Sequence, residues 1–198
     1  MAHWQPGERV AGRFVVEGWL ASGGMADARS LVAALALGAE GMNMGTRFIA
    51  TKEAPVHDKV KQAIVAASEL DTRLIMRSLR NTERVLNNGA VERLMEKEKT
   101  LGSKLTFADI LHEVAGVYPK VMLEGEVEAG AWSCGMVAGL IHDIPTCKEL
   151  IDRIMREADA LGKKISVESV DDKVIELAEM GGLIGANPFF AKNKRQFS

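Results

Sequence analysis

Two short glycine turns, Ser22-Gly23-Gly24 and Gly45-Thr46, carry the clearest capacity for binding chemistry in this sequence. Each follows a short apolar segment, and glycine lets backbone N–H groups approach a phosphate without a Cβ in the way. Asp27 is the predicted N-cap of the next helix, whose positive end would face the same place. Two such turns about twenty residues apart match the phosphate site after strands seven and eight of a (β/α)8 barrel. On these residues alone, the plainer alternative is a pair of turns without a ligand.

The segments around the turns predict one βαβ unit. Residues 14–21 form a short apolar run, interrupted by a charge and a glycine, that predicts a strand. Residues 28–37 carry apolar side chains at helical spacing, and Gly38 closes that helix. Residues 41–44 form a second short apolar segment. A βαβ unit implies parallel strands, so both glycine turns are expected at the same edge of the sheet.

Beyond Phe48 the strand signals fade and helical periodicity takes over. The predicted helices cover residues 56–67, 82–97, 106–114, 130–141, 145–161 and 170–180. Thr106 caps the third of them with Asp109 three positions on, and Pro145 opens the fifth at a first-turn position. The glycine-spaced helix over 130–141 is expected to be buried. The predicted fold class is therefore α/β, with a short βαβ piece followed by a mainly helical segment.

The bulk composition limits the partners. A net charge of −2 over 198 residues gives no electrostatic case for nucleic acid or for an anionic membrane. No run of about 18 apolar residues is present, so no transmembrane helix is expected, and residues 1–14 show no signal-peptide pattern. Cys134 and Cys147 have no CxxC pair or Cys/His cluster beside them. These features predict reduced thiols, a cytoplasmic protein and no metal site.

Several blocks share a specific order and spacing, namely residues 21–29, 31–38, 43–48, 74–82 and 132–141. Together they resemble the nitronate monooxygenase family, also called 2-nitropropane dioxygenases, which are FMN-dependent TIM-barrel enzymes. The resemblance runs from about Ala21 to Leu161. It is greatest to members that act on nitronates or, as NAD(P)H:quinone reductases, on quinones. It implies a small-molecule substrate of one of these two classes, with NAD(P)H as a further partner in the second.

The resemblance also implies which residues hold the cofactor FMN: Ser22, Gly23, Gly24, Met44, Gly45 and Thr46. The glycines and Thr46 would give backbone amides to the FMN phosphate from the seventh and eighth loops, and the Thr46 hydroxyl would be a further donor. Ser22 and Met44 would line the flavin side. Trp132 and Met136 could face the substrate pocket, although a plain core role is the simpler interpretation of both.

The family pattern divides the chain into three parts. Residues 1–52 would be the end of the TIM-barrel FMN-binding domain, corresponding to the C-terminal fragment that holds strands seven and eight. Residues 53–161 would be the helical domain that covers the mouth of the barrel. Residues 162–198 match nothing in the family. These expectations describe a truncated copy, a frame-shifted reading or a genuine short paralogue.

The family's catalytic histidine would lie upstream of residue 1, together with barrel strands one to six. None of the four histidines here fits that role, and all are interpreted as solvated surface residues: His3, His57, His112 and His142. No catalytic residue is therefore predicted in this chain. We expect weak FMN binding, because part of the site would be missing, and no measurable nitronate oxidation by this chain alone.

Three functions remain open from the sequence. The first is an FMN-dependent monooxygenase that oxidises alkyl nitronates to carbonyl compounds and nitrite with O2. The second is a sister flavoenzyme on the same barrel, either an NAD(P)H:quinone reductase or a flavin-type enoyl-acyl-carrier-protein reductase. The third is a non-catalytic remnant or interaction module. In either enzyme the flavin carries the electron transfer, and the protein supplies position and electrostatics.

Overall fold

The computed structural model of the protein describes residues 20–116 and 118–164, together with the backbone of residues 9–10 and 14–15. Its strands are β1 (Arg9–Val10), β2 (Phe14–Val15), β3 (Leu20–Ser22), β4 (Gly41–Asn43), β5 (Thr72–Ile75) and β6 (Glu83–Leu86). Its α-helices are α1 (Ala28–Ala36), α2 (Thr46–Ile49), α3 (Asp58–Ala66), α4 (Gly89–Leu101), α5 (Leu111–Val114) and α6 (Cys147–Lys164). The strands pair as β1 with β2, β3 with β4 and β5 with β6.

The predicted βαβ unit is present as β3, α1 and β4. The two strands are parallel, with Leu20 opposite Gly41 and Ser22 opposite Asn43. Asp27 is the N-cap of α1, as predicted, and its carboxylate accepts a hydrogen bond from the Ser30 N–H at 3.1 Å. The segment 14–21, expected as one strand, is divided between β2 and β3, and β2 pairs antiparallel with β1 instead.

The region after Phe48 is not purely helical, and here the sequence prediction was wrong. Residues 82–97 were expected as one helix, but their first part is strand β6, antiparallel to β5. Val85 is fully buried in this hairpin and also bridges to Ser133. The helix begins only at Gly89, because the Asn88 side chain accepts from the Val91 N–H at 2.9 Å and caps it. Cross-strand pairing and this cap overrode the helical pattern.

The expected buried helix over 130–141 is also absent from the described structure. Only Met136–Leu140 is helical, as a short 3-10 turn. The residues before it run extended, since the Cys134 N–H donates to the Arg84 carbonyl at 3.1 Å. Gly139 lies against the neighbouring chain, where an added Cβ would come within 2.7 Å of the Glu69 nitrogen. This close approach explains the glycine better than a helical repeat does.

Two other helices agree with the sequence more closely. Helix α3 falls inside the predicted 56–67 segment and buries Val60 and Ile64 completely. Thr106 and Asp109 form the predicted capping box, ahead of a 3-10 turn and α5. Helix α6 begins at Cys147 rather than at Pro145. Its actual cap is a pair of reciprocal hydrogen bonds, in which the Thr146 N–H reaches the Glu149 carboxylate and the Glu149 N–H reaches the Thr146 hydroxyl.

The buried side chains of the described residues form two clusters. The larger one surrounds α3 and the segment 132–141, and it includes Trp132, Cys134 and Ile141. The second fills the space between the β5–β6 hairpin and α4, around Leu94. The larger cluster also takes in Ala26, which follows the first glycine turn, and Ala50, which follows α2. Both turns therefore end on residues that are anchored in the core.

Some predictions fall outside the described residues. These are the irregular head with His3 and the helix over 170–180. Within the described part of the chain, no helix combines the length and the apolar character needed to cross a membrane.

Candidate functional site

The two glycine turns begin side by side. Ser22 and Asn43 are register partners at the carboxyl ends of β3 and β4, and neighbouring strands lie about 4.8 Å apart. Gly23 follows one strand end and Met44 the other, so both turns leave the same edge of this small parallel sheet. Carboxyl ends of parallel strands are where α/β folds place their ligands. That the amides of both turns converge on one phosphate stays a prediction.

The backbone of the turns is open and left-handed at the first of them. Gly23 and Gly24 adopt φ values of +86° and +72°, which side-chain-bearing residues rarely adopt. Both are exposed, and among the described residues an added Cβ at either would meet no heavy atom within 4 Å. Glycine is therefore the residue that suits both positions, and the space beside each is open among the described residues.

Gly45 gives a sharper indication of a ligand. Its φ of −86° and ψ of −74° suit any residue. A Cβ placed there would contact nothing within 4 Å in the described part of the chain. Neither the backbone conformation nor packing against the described residues therefore requires a glycine at this position. Close approach of a ligand to the backbone is a physical reason that remains, and it fits a phosphate held by main-chain amides.

The N-terminal end of α1 is already occupied by a protein carboxylate. Asp27 accepts from Ser30, and the Arg29 guanidinium donates to it at 2.8 Å. Burial raises the pKa of Asp27, but the hydrogen bonds from Arg29 and Ser30 outweigh burial and hold it below its usual 3.8. A negative charge therefore sits where the sequence suggested a free helix dipole. Phosphate binding would rest on the turn amides rather than on α1.

Thr46 makes a contact that the sequence did not reveal. Its hydroxyl oxygen accepts a hydrogen bond from the Gly135 N–H at 3.0 Å. Gly135 precedes the 3-10 turn Met136–Leu140 in the distant segment of the chain. The contact joins the second glycine turn to the segment that contains Trp132 and Cys134. Gly135 belongs to one of the sequence blocks that carry the family resemblance, which was the only signal for it.

An ionic network beside the turns attaches α2 to α6. The Arg47 guanidinium, only 2% exposed, donates to the Asp143 carboxylate at 2.8 Å and to its carbonyl at 3.1 Å. Arg153 on α6 donates to the same carboxylate at 2.6 Å. The hydrogen bond from Arg153, together with the charge of Arg47, holds the pKa of Asp143 below its usual 3.8.

This network lines a cleft of about 390 Å³ that also includes Asp27 and His142. Arg47 was not among the predicted site residues, although it directly follows Thr46. Its guanidinium is hydrogen-bonded to Asp143, and this contact holds α2 in place.

The other residues considered from the sequence are Trp132, Met136 and the two cysteines. Trp132 has the expected core role, and its indole N–H donates to the Val127 carbonyl at 3.2 Å. The core role expected for Met136 was wrong, because its side chain is 48% exposed. Cys134 is buried as expected, and burial raises the pKa of its thiol to about 11, so it stays protonated and unreactive. No disulfide involves Cys134 or Cys147.

The histidines of the described chain lie away from the glycine turns in sequence. His112 and His142 are exposed, in agreement with the prediction. His57 is half-buried, and the interpretation of it as a solvated residue was wrong. Its Nδ1 accepts from the Lys59 N–H at 3.2 Å and caps α3, and Gly125 lies against its ring.

Comparison with known proteins decides the family. The family model described as nitronate monooxygenase matches residues 19–157, more than half of the chain. The protein belongs to the nitronate monooxygenase family. A probable nitronate monooxygenase of Staphylococcus haemolyticus is 37% identical over 40% of this chain and 22% of its own length. A Rhodococcus jostii relative, (3aS,4S,5R,7aS)-5-hydroxy-7a-methyl-1-oxo-octahydro-1H-indene-4-carboxyl-CoA dehydrogenase, is 33% identical over 72% of this chain and 51% of its own.

Solved structures agree on the fold. FabK from Thermotoga maritima is 35% identical with a TM-score of 0.68, covering 74% of this chain and 45% of that one. A nitroalkane oxidase from Streptomyces ansochromogenes, 21% identical with a TM-score of 0.58, shares the fold. These TIM-barrel neighbours confirm the α/β fold class. The chain spans about half the length of the curated relative from Rhodococcus, and its assignment to strands seven and eight stays a prediction.

Proposed function

We propose that this chain supplies the phosphate-binding side of an FMN-dependent oxidoreductase of the nitronate monooxygenase type. The observation that carries the proposal is Gly45, a glycine that neither its backbone conformation nor its packing in the described part of the chain requires. It lies at the edge of a parallel strand pair, next to a second glycine turn whose glycines are exposed. Membership of the family supports the same reading of both turns.

The residues divide into two roles in this proposal. Gly23, Gly24 and Gly45 donate backbone N–H groups to the phosphate, and Thr46 adds its hydroxyl. Ser22 and Met44, each one position before a glycine, line the flavin. Bound flavin supplies the electron transfer that oxidises an alkyl nitronate to a carbonyl compound and nitrite with O2. The chain's own residues bind and orient the cofactor, and the core-anchored ends of the turns keep its position fixed.

A matched pair of glycine substitutions tests the phosphate site. Gly45→Ala adds a methyl group at an unstrained position beside the proposed phosphate, and we expect FMN affinity to fall about tenfold or more. Gly162→Ala is the control, because Gly162 is likewise exposed and no atom of the described residues would lie within 4 Å of the added Cβ. Quenching of flavin fluorescence measures the FMN affinity of each variant. Equal FMN affinity in the two variants would contradict the proposal.

Turnover is a separate question from binding. Proton transfer to or from the substrate needs a group of suitable pKa within about 3 Å of it, and no histidine of this chain matches the family's catalytic one. We therefore expect this chain by itself to oxidise propyl-2-nitronate no faster than free FMN does. An oxygen electrode measures the rate, with free FMN as the blank. A rate above the blank would show that a base resides in this chain.

The comparisons favour one alternative chemistry on the same cofactor. The Rhodococcus relative is named as a dehydrogenase of a carboxyl-CoA thioester, and FabK has the higher TM-score of the two structures described. A reductase that transfers electrons from NAD(P)H to an acyl thioester or a quinone is therefore the second candidate. The FMN-loaded protein can be assayed for both activities. Consumption of NAD(P)H with an enoyl thioester or a quinone, without consumption of O2 in the presence of a nitronate, would favour the reductase.

A further inference from the structure

The Thr46 hydroxyl has a limited set of hydrogen bonds available. A threonine hydroxyl carries one proton to donate and two lone pairs to accept. One lone pair is taken by the Gly135 N–H at 3.0 Å. In residues 20–116 and 118–164, the hydroxyl proton reaches no protein acceptor. The hydrogen bond from Gly135 thus directs the remaining proton away from the Gly135 nitrogen.

The Gly135 amide is itself firmly held. The Cys134 N–H, one residue before it, donates to the Arg84 carbonyl of the β5–β6 hairpin at 3.1 Å. The Gly135 carbonyl accepts from the Ala138 N–H at 3.0 Å. Cys134 is 1% exposed and belongs to the larger core cluster. The donor to Thr46 is therefore fixed by the core, whereas Thr46 stands on a helix of only four residues.

A threonine in the first turn of a helix would otherwise be free to change rotamer. Thr46 is the first residue of α2, so no preceding helical turn offers a carbonyl to its hydroxyl proton. The bond from Gly135 holds the oxygen in one place and leaves the proton for an outside acceptor. A phosphate oxygen is such an acceptor, and bonds of this kind to a charged group are stronger than neutral ones.

We propose that Gly135 is a positioning residue for flavin selectivity. Its backbone N–H orients the Thr46 hydroxyl towards the cofactor phosphate, so that preference for FMN over riboflavin, which lacks the phosphate, depends on Gly135. This proposal rests on the proposed function. Gly135 acts only through Thr46 and makes no contact of its own with the cofactor.

Two substitutions at Gly135 separate the N–H group from the side chain. Gly135 has φ −77°, which proline tolerates, and Gly135→Pro replaces the N–H by a ring carbon that displaces the Thr46 hydroxyl. Gly135→Ala keeps the N–H, and its Cβ would lie 3.4 Å from Thr46 Oγ1, an ordinary contact. The readout is the ratio of the riboflavin to the FMN dissociation constant, measured by fluorescence quenching.

The expected pattern is specific to the phosphate. Wild type and Gly135→Ala prefer FMN to the same extent. Gly135→Pro and Thr46→Val each reduce that preference about tenfold, as expected for one hydrogen bond to a charged group, with riboflavin affinity unchanged. The double variant loses no more than Thr46→Val alone, because Gly135 has no other route to the phosphate.

Other outcomes overturn the inference in distinguishable ways. An equal loss of FMN and riboflavin affinity in Gly135→Pro would make Gly135 merely structural. Additive losses in the double variant would mean that it does not act through Thr46. If wild type does not prefer FMN, or if Thr46→Val keeps the preference, the proposed phosphate site itself is wrong.

A measurement on the unaltered protein covers the case in which Gly135→Pro does not fold. The Gly135 amide resonance should shift when FMN is added to ¹⁵N-labelled protein, because the Thr46 oxygen becomes more polarised as its proton binds the phosphate. Riboflavin should leave it in place. A Gly135 resonance that responds equally to both flavins would contradict the proposal. So would a resonance that responds to neither flavin although FMN binds more tightly than riboflavin.

Discussion

The glycine-turn region and the packed region of this protein are stabilised very differently. The glycine-turn region, residues 20–48, has few buried side chains, and its Leu20, Leu35 and Leu37 are 67%, 47% and 89% exposed. The packed region, residues 50–141, contains nearly all of both core clusters, with side chains such as Ile64 completely buried. The proposed binding residues all belong to the first region, and most of their anchoring contacts are made with residues outside it.

This difference separates the roles of chemistry and stability. The turns keep their glycines open to solvent, which gives them little hydrophobic stabilisation of their own. They gain position from a few long-range contacts instead: the burial of Ala26 and Ala50, the bond between Thr46 and Gly135, and the ion pair of Arg47. Substitutions in the two regions should therefore have opposite effects on folding and on flavin binding.

The largest expected effect is on stability, in the packed region. Ile64→Ala truncates a side chain that is 0% exposed. Truncation of a buried isoleucine to alanine typically lowers the free energy of unfolding by about 2–5 kcal/mol. Leu37→Ala is the matched control in the glycine-turn region, since Leu37 is 89% exposed, and a change below about 0.5 kcal/mol is expected. Urea unfolding measures both. Similar losses would show that Leu37 is packed in solution.

The next contrast uses two left-handed glycines. Gly125 has φ +72°, and a Cβ there would lie 2.3 Å from the His57 Nδ1, so Gly125→Ala combines backbone strain with a clash. We expect a loss of about 2–4 kcal/mol. Gly24 has the same φ of +72° but nothing within 4 Å among the described residues, so Gly24→Ala should cost only the strain, about 1–2 kcal/mol.

Flavin binding should show the reverse order for these two variants. Gly24→Ala lies in the proposed phosphate turn and is expected to weaken FMN binding, whereas Gly125→Ala, at a temperature where it remains folded, should leave it close to wild type. The urea midpoint and an FMN titration are measured on the same samples. If Gly125→Ala weakened FMN binding more than Gly24→Ala did, the division between the two regions would be wrong.

The sequence predicted the local features of this fold and missed the distant ones. Asp27 as a cap, the helix around Ile64 and the Thr106–Asp109 capping box depend on neighbours a few positions away. The β5–β6 hairpin was missed because Val85 owes its strand conformation to its pairing with Arg73 on β5 and with Ser133, not to the local periodicity of the sequence. At this position the local pattern favours a helix, but the cross-strand pairing determines the conformation.

The candidate site shows the same division. The glycines and Thr46 were proposed from the sequence, because a turn after a strand is a local signal, and their binding role stays a prediction. The contact between Thr46 and Gly135 spans 89 positions, and Arg47 reaches Asp143 across 96. No period or spacing predicts such contacts. Asn88 was an overlooked local signal, since an asparagine directly before a glycine and an apolar run indicates a helix cap, and the Thr146–Glu149 box of α6 was another.

The smallest expected effect concerns the ionic attachment of the glycine-turn region. Asp143→Asn removes the charge that faces the buried Arg47. A fully buried pair broken in this way loses about 3–5 kcal/mol, but Asp143 is 44% exposed, and its carbonyl still accepts from Arg47. Solvent screening of the exposed partner reduces the expected loss to about 1–2 kcal/mol. Asp152→Asn, in the exposed pair with Lys148, is the control and should cost less than about 0.5 kcal/mol.

The pH dependence of that loss identifies its cause. The folded pKa of Asp143 lies below its usual 3.8, with the hydrogen bond from Arg153 as the main reason. The unfolded state therefore binds the proton more readily, and the contribution of the carboxylate is complete above the unfolded pKa. It declines as the pH falls from about 5 through the folded pKa. Hydrogen bonds also lower the pKa values of capping carboxylates such as Asp71 and Asp109, but these contribute equally to wild type and to Asp143→Asn.

The difference in unfolding free energy between wild type and Asp143→Asn should therefore shrink between about pH 6 and pH 3. A difference that stays constant with pH would mean that the substitution acts through packing rather than through charge.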